Sequence, residues 1–94
     1  MKEIVDYKPF MVNDCKVYVS VITVMGVDGS IKPLSFEWED GNTHEIDKII
    51  DVRPAASLKA GGAGIRYTIR VRTRETYLFL EEIKGVNRWF MERR

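Results

Sequence analysis

The stretch Lys16-Val17-Tyr18-Val19-Ser20-Val21-Ile22-Thr23-Val24-Met25-Gly26-Val27-Asp28-Gly29-Ser30-Ile31-Lys32-Pro33-Leu34-Ser35-Phe36-Glu37-Trp38-Glu39-Asp40-Gly41 decides the fold. Two runs rich in β-branched and aromatic residues are parted by Asp28-Gly29, and the second run closes on Asp40-Gly41. A type I′ hairpin turn needs positive φ at both central residues, which Asp and Gly tolerate, so each pair marks a hairpin. Two such marks in succession predict a meander of three antiparallel strands. The first strand, 16–25, is apolar at Val17, Val19 and Val21 and again at Tyr18, Ile22 and Val24. A strand apolar on both sides is covered on both faces over part of its length. The second, 31–39, sends Phe36 and Trp38 one way and Ser35, Glu37 and Glu39 the other, while Pro33 holds its early part to an edge or a bulge.

Working outward, residues 43–53 read two ways. Ile46, Ile49 and Ile50 fit helical spacing, and Asn42 with Glu45 resembles a capping box. Ile46, Ile50 and Val52 also fit one strand face, and the preceding Asp-Gly favours a hairpin, so the segment is read as a third strand ended by Pro54. Residues 55–64 form a loop, with one helical turn over 54–58. Its Gly61-Gly62-Ala63-Gly64 run loses too much backbone entropy for regular structure. Residues 65–73 form a strand with Tyr67, Ile69, Val71 and Thr73 on one face and Arg66, Thr68, Arg70 and Arg72 on the other. A reversal at 73–76 leads into a strand over 76–82, apolar both ways through Tyr77, Leu78, Phe79 and Leu80. The helical spacing of Phe79, Ile83, Val86 and Phe90 is outweighed by Gly85 and by the Tyr, Phe and Thr content. A last short strand, 88–92, carries Trp89 or Phe90 inward. The expected class is therefore all-β: a single small antiparallel meander of five or six strands, forming a partly closed SH3-like barrel or rolled sheet. Residues 16–94 make this domain, and residues 1–15 an N-terminal arm or edge strand. Tyr67, Ile69 and Val71, with Phe36, Trp38, Leu78, Leu80 and Trp89, are the candidate core.

Ninety-four residues allow one domain, and 15 basic against 14 acidic residues leave a net charge of +1, which excludes a chromatin-like polycation and an acidic tail. Cys15 is the single cysteine, so no internal disulfide forms and the cytoplasm is the expected setting. The N-terminus lacks the apolar core of a signal peptide, and the apolar run 17–27 is too short to cross a bilayer, so no membrane association is expected.

Catalytic and metal chemistry find little support. Cys15 and His44 would need hydrogen-bond reach and an oxyanion pocket to work as a nucleophile and base, and nothing in the sequence requires it. No nucleophile-elbow serine motif occurs. One cysteine and one histidine cannot close a zinc site, and His44, Glu45 and Asp47 on a strand do not share one side. Glu37, Glu39 and Asp40 lack calcium-loop spacing. No catalytic residue, metal or cofactor is assigned. The loop of Lys59, Gly61, Gly62 and Gly64, with Arg66 after it, could cradle an anion, but no Walker or dinucleotide pattern surrounds it and a plain connector is the simpler reading.

The charge distribution is less ordinary. Residues 1–52 hold five lysines, no arginine and ten acids; residues 53–94 hold ten basic residues and four acids. Arg66, Arg70 and Arg72 on one strand face, with Arg74 beyond, could track a nucleic-acid backbone, with Tyr7, Phe10, Tyr18 and Trp89 as stacking platforms. The plainer reading pairs an acidic strand bearing Glu45, Asp47 and Asp51 with the arginine strand, or brings opposite halves of two copies together.

Trp38-Glu39-Asp40-Gly41, Glu45-Ile46-Asp47, Asp51-Val52-Arg53, the run 55–62, Arg66-Tyr67-Thr68, the run 74–79 and Arg88-Trp89-Phe90 together resemble a group of short uncharacterised proteins of clostridial-type bacteria. The resemblance covers roughly residues 16–92 and implies a bacterial origin and a cytoplasmic setting. It brings no activity, cofactor or site. The expected function is a non-enzymatic protein-interaction or self-association module, a homo-oligomer or the binder of a protein partner. The alternative is a small β-barrel nucleic-acid-binding module using the arginine face.

Overall fold

The computed structural model describes residues 15–57 and 64–93. Seven strands are present there: β1 (Lys16–Met25), β2 (Ile31–Glu37), β3 (Thr43–Glu45), β4 (Lys48–Pro54), β5 (Ile65–Val71), β6 (Arg74–Ile83) and β7 (Val86–Glu92). They form one antiparallel sheet in the order β3-β2-β1-β7-β6-β5-β4, with no helix among the described residues. The chain is all-β, as its alternating patterns require, but seven strands lie among its described residues where five or six were expected.

The extra strand comes from residues 43–53. They do not form one strand: β3 and β4 lie at opposite edges of the sheet, and Ile46 and Asp47 cross between them. Ile46 N–H donates to the Leu34 carbonyl and Asp47 N–H to the Arg70 carbonyl, each at 2.9 Å. These two bonds draw the edges together and curl the sheet into a half-barrel. Ile46 and Ile49 pack on the same core from the two edges, so the three-residue spacing that mimics a helix is the signature of the crossing.

Both Asp-Gly hairpins form, with a different turn. Gly29 N–H donates to the Gly26 carbonyl at 2.9 Å, and Gly26 N–H to the Ser30 carbonyl at 2.8 Å. Residues 38–42 repeat the pattern. These are three-residue loops with glycine in the left-handed position, at φ 87° for Gly29 and 86° for Gly41. Asp28 and Asp40 are not left-handed. Their carboxylates accept the backbone N–H groups of Ser30 and Asn42 instead. Positive φ at two successive residues, the type I′ signature, occurs at Lys84-Gly85 between β6 and β7.

The concave face holds Phe36, Tyr67, Ile69, Leu78 and Met91, with Trp38, Leu80 and Trp89 packed against them. Tyr67 donates its hydroxyl to the Ile31 carbonyl across the interior at 2.9 Å, and burial pushes its phenol pKa up. Phe79 and Phe90 stack on the convex face at 4.9 Å beside Cys15, so β6 is apolar on both sides, as the sequence indicates, and so is β7, where only one of Trp89 and Phe90 was expected to turn inward. β1 is covered only in its first half: Val17 is buried, while Ile22 is 64% and Met25 71% exposed. Pro33 sits beside the bulge, where the β1–β2 register shifts between Ile22 and Thr23.

The expected helical turn after Pro54 does not form over the described residues 54–57, where Pro54 still belongs to β4. Gly64 has a steric reason to be glycine, since a Cβ there would collide with the Leu80 carbonyl oxygen. Apart from Cys15, the expected arm 1–15 lies outside the described residues, as do Lys59, Gly61 and Gly62 of the candidate anion loop.

Candidate functional site

The candidate arginines, expected as Arg66, Arg70 and Arg72 on one strand face with Arg74 beyond, are divided. Arg66 and Arg70 stand on β5, opposite Phe79 and Glu75 of β6. The Arg66 guanidinium lies over the Tyr77 ring at 4.4 Å, its Nε buried without a hydrogen-bond partner. Arg70 donates to Glu75 at 3.2 Å. On their other side β4 sets Lys48 opposite Arg70 and Arg53 opposite Arg66, like charges that repel. Of the acids expected to neutralise this strand, only Asp51 stands in the β4 ladder. Arg53 donates to it at 2.6 Å, and that hydrogen bond, with the nearby arginine charges, holds its carboxyl below the usual value. Glu45 lies on the far edge, in β3.

Arg72 is not on the β5 face, because β5 ends at Val71. It occupies the β5–β6 turn at φ 59°, a left-handed conformation that is costly for a residue with a side chain. Asp47 secures that turn, its carboxylate accepting the Arg72 backbone N–H at 2.6 Å. The turn presents Arg72 and Arg74 to one end of the concave face.

A cleft of about 690 Å³ opens there. Arg72, Thr73, Arg74 and Thr76 form one wall, and Phe36, Trp38 and His44 another, with Val71 and Met91 also lining it. The β2–β3 register places Phe36 opposite His44, so their rings stack at 5.3 Å and 28°. Glu39, Asp40, Glu92 and Arg93 complete the lining. Arg93 forks onto Glu39 at 2.8 and 3.1 Å, and these hydrogen bonds hold the Glu39 carboxyl below its ordinary value. Among the described residues the Arg72 and Arg74 side chains have no ion-pair partner.

Neither stacking platform named from sequence within the described residues stands in this cleft. Tyr18 meets Phe90 edge-on on the convex face, with Arg88 4.3 Å from its ring, and Trp89 packs on Tyr67 at 5.2 Å in the core. Sequence reasoning placed Phe36 and Trp38 in the core and gave His44 no role. The pairing of Phe36 with His44 was the available signal, and it depends on the register of the 38–42 loop. Cys15 and His44 are not brought together: one packs on the convex Phe79–Phe90 pair, the other on concave Phe36. No group of three His, Cys, Asp or Glu side chains able to hold a metal ion occurs among the described residues.

A second feature is the outer half of β1. Lys16, Val17, Tyr18 and Val19 pair with β7, but among the described residues 20–25 pair with β2 alone, which leaves their other backbone edge without a described partner strand. Ile22, Val24, Met25 and, in the loop, Val27 are all exposed. No charged residue or proline interrupts 17–27.

No family model, curated protein or solved structure matches this chain.

Proposed function

We propose that this chain is a non-enzymatic bacterial interaction module that self-associates in the cytoplasm through the open edge of β1. The observation that carries the reading is the apolar, uncharged edge at 20–25, which has no partner strand among the described residues. Sheet proteins usually guard such an edge with lysine, proline, a bulge or a covering loop, because unpaired N–H and C=O groups template further pairing. Here the bulge and Pro33 fall on the side of β2. An isologous antiparallel pairing would set β1 against β1 of a second copy. The lack of charge favours a second copy as the occupant, since no like charges would then face each other across the two-fold axis.

The test is sedimentation velocity from micromolar to millimolar concentration, on the unaltered chain and on Ile22→Lys. Ile22 is exposed, so the lysine is tolerated in the folded protein while opposing edge pairing. A concentration-dependent dimer that the substitution abolishes is expected. A strict monomer over the whole range, or a dimer indifferent to the lysine, overturns the reading.

A further inference from the structure

We infer that the concave cleft is a nucleotide-binding site, in which Arg72 and Arg74 take the phosphate and the base lies against Trp38 and His44. The inference rests on none of the residues of the β1 edge.

Three observations carry it. The cleft volume of about 690 Å³ suits a ligand of nucleotide size, and it combines an apolar floor with a few convergent polar groups. The two guanidiniums on its wall are exposed and lack ion-pair partners among the described residues, in contrast to Arg70 and Arg53, which are held by Glu75 and Asp51. An arginine fork matches phosphate oxygens in a way no neutral side chain does. The facing wall is aromatic, and any base offers a π face for stacking on it.

The charge arrangement narrows the ligand further. Arg72 and Arg74 stand at the β5–β6 turn, whereas Glu39, held by Arg93, and Asp40 stand at the lip formed by the β2–β3 loop. A polyanion that filled the whole cleft, such as an acidic peptide, would meet these carboxylates. A nucleotide is anionic at one end and carries ring or exocyclic N–H donors at the other, which carboxylates accept. An exocyclic amine gives the carboxylates two N–H donors, whereas the one ring N–H of uracil is flanked by two carbonyls that carboxylates repel, so the cleft favours a base with an exocyclic amine over uracil.

The same chemistry is offered by a free mononucleotide and by one unit of a single strand, and the probes separate them. Fluorescence anisotropy on the full chain at low salt uses a labelled single-stranded oligocytidine, with CMP, UMP and an oligoglutamate as competitors. Nuclear magnetic resonance shifts of the Trp38 indole and His44 imidazole report the site directly. Binding is expected, with those signals moving and CMP competing better than UMP. Arg72→Gln with Arg74→Gln should weaken it about tenfold and reduce the log–log salt slope by about 0.7 for each phosphate left unneutralised. Arg70→Gln, on the convex face, should leave it unchanged, and circular dichroism confirms that each variant is folded. Equal affinity for CMP and the oligomer assigns a free nucleotide, and preference for the oligomer assigns a strand; both uphold the inference. Absence of binding, binding lost with Arg70→Gln but not with the paired cleft variant, or oligoglutamate competing as well as CMP overturns it.

Discussion

Glu81 shows how a single side chain is decided by partners remote in sequence. Its carboxylate is buried on the convex face, where Lys16 donates at 3.1 Å, Tyr18 donates its hydroxyl at 2.9 Å and Arg88 lies at 3.7 Å. Burial pushes the Glu81 pKa up, but the two hydrogen bonds and the charges of Lys16 and Arg88 outweigh it, and the net direction is down. A carboxyl depressed in the folded state stabilises fully above its unfolded value, near 4.5. That contribution is lost as pH falls through the lower folded value. Glu81→Gln is expected to cost about 3 kcal/mol at neutral pH, because it leaves a buried Lys16 ammonium without its counter-charge. It should also flatten the acid limb of stability, checked by urea melts between neutral and strongly acidic pH. An unchanged acid limb would show that other carboxyls govern it.

At the scale of elements, the connection from β3 to β4 organises the cleft end of the sheet. Asp47 uses its backbone N–H on β5 and its carboxylate on the β5–β6 turn. The Arg72 turn is left-handed without glycine, so a fixed acceptor for its N–H offsets part of the strain. Asp47→Ala should lower stability by about 1 kcal/mol, while Asp47→Asn should recover part of that loss. Thermal melts check the order of the three proteins. Each loop in the β1–β3 meander instead places glycine where the backbone requires it, which explains why these hairpins are legible in the sequence and the Arg72 turn is not.

On the scale of the molecule, one half-barrel serves two purposes. Curling brings Phe36 and Met91 into one cluster with Tyr67, Ile69 and Leu78, while the convex side retains a smaller aromatic pair. Ile69 and Leu78 are fully buried, and a domain this small holds stability of only about 5–15 kcal/mol, so few core residues are dispensable. Ile69→Ala is expected to cost about 2–5 kcal/mol, enough to leave a large unfolded fraction in a chemical-denaturation curve. The uneven charge of the two halves is partly resolved within one chain, where Glu39 of the acidic half meets Arg93 of the basic half.

The sequence by itself determined the all-β class, the span of β1, the two glycine hairpins and most of the concave core. These follow from period-two alternation and from backbone conformations that only glycine adopts freely, both local properties. Tertiary structure alone decided that 43–53 divides between two edges, that Arg66 and Arg70 part from Arg72 and Arg74, and that His44 comes to rest on Phe36 across from an arginine turn. Those outcomes depend on register and sheet closure, which join residues far apart in the chain and which local spacing alone does not specify.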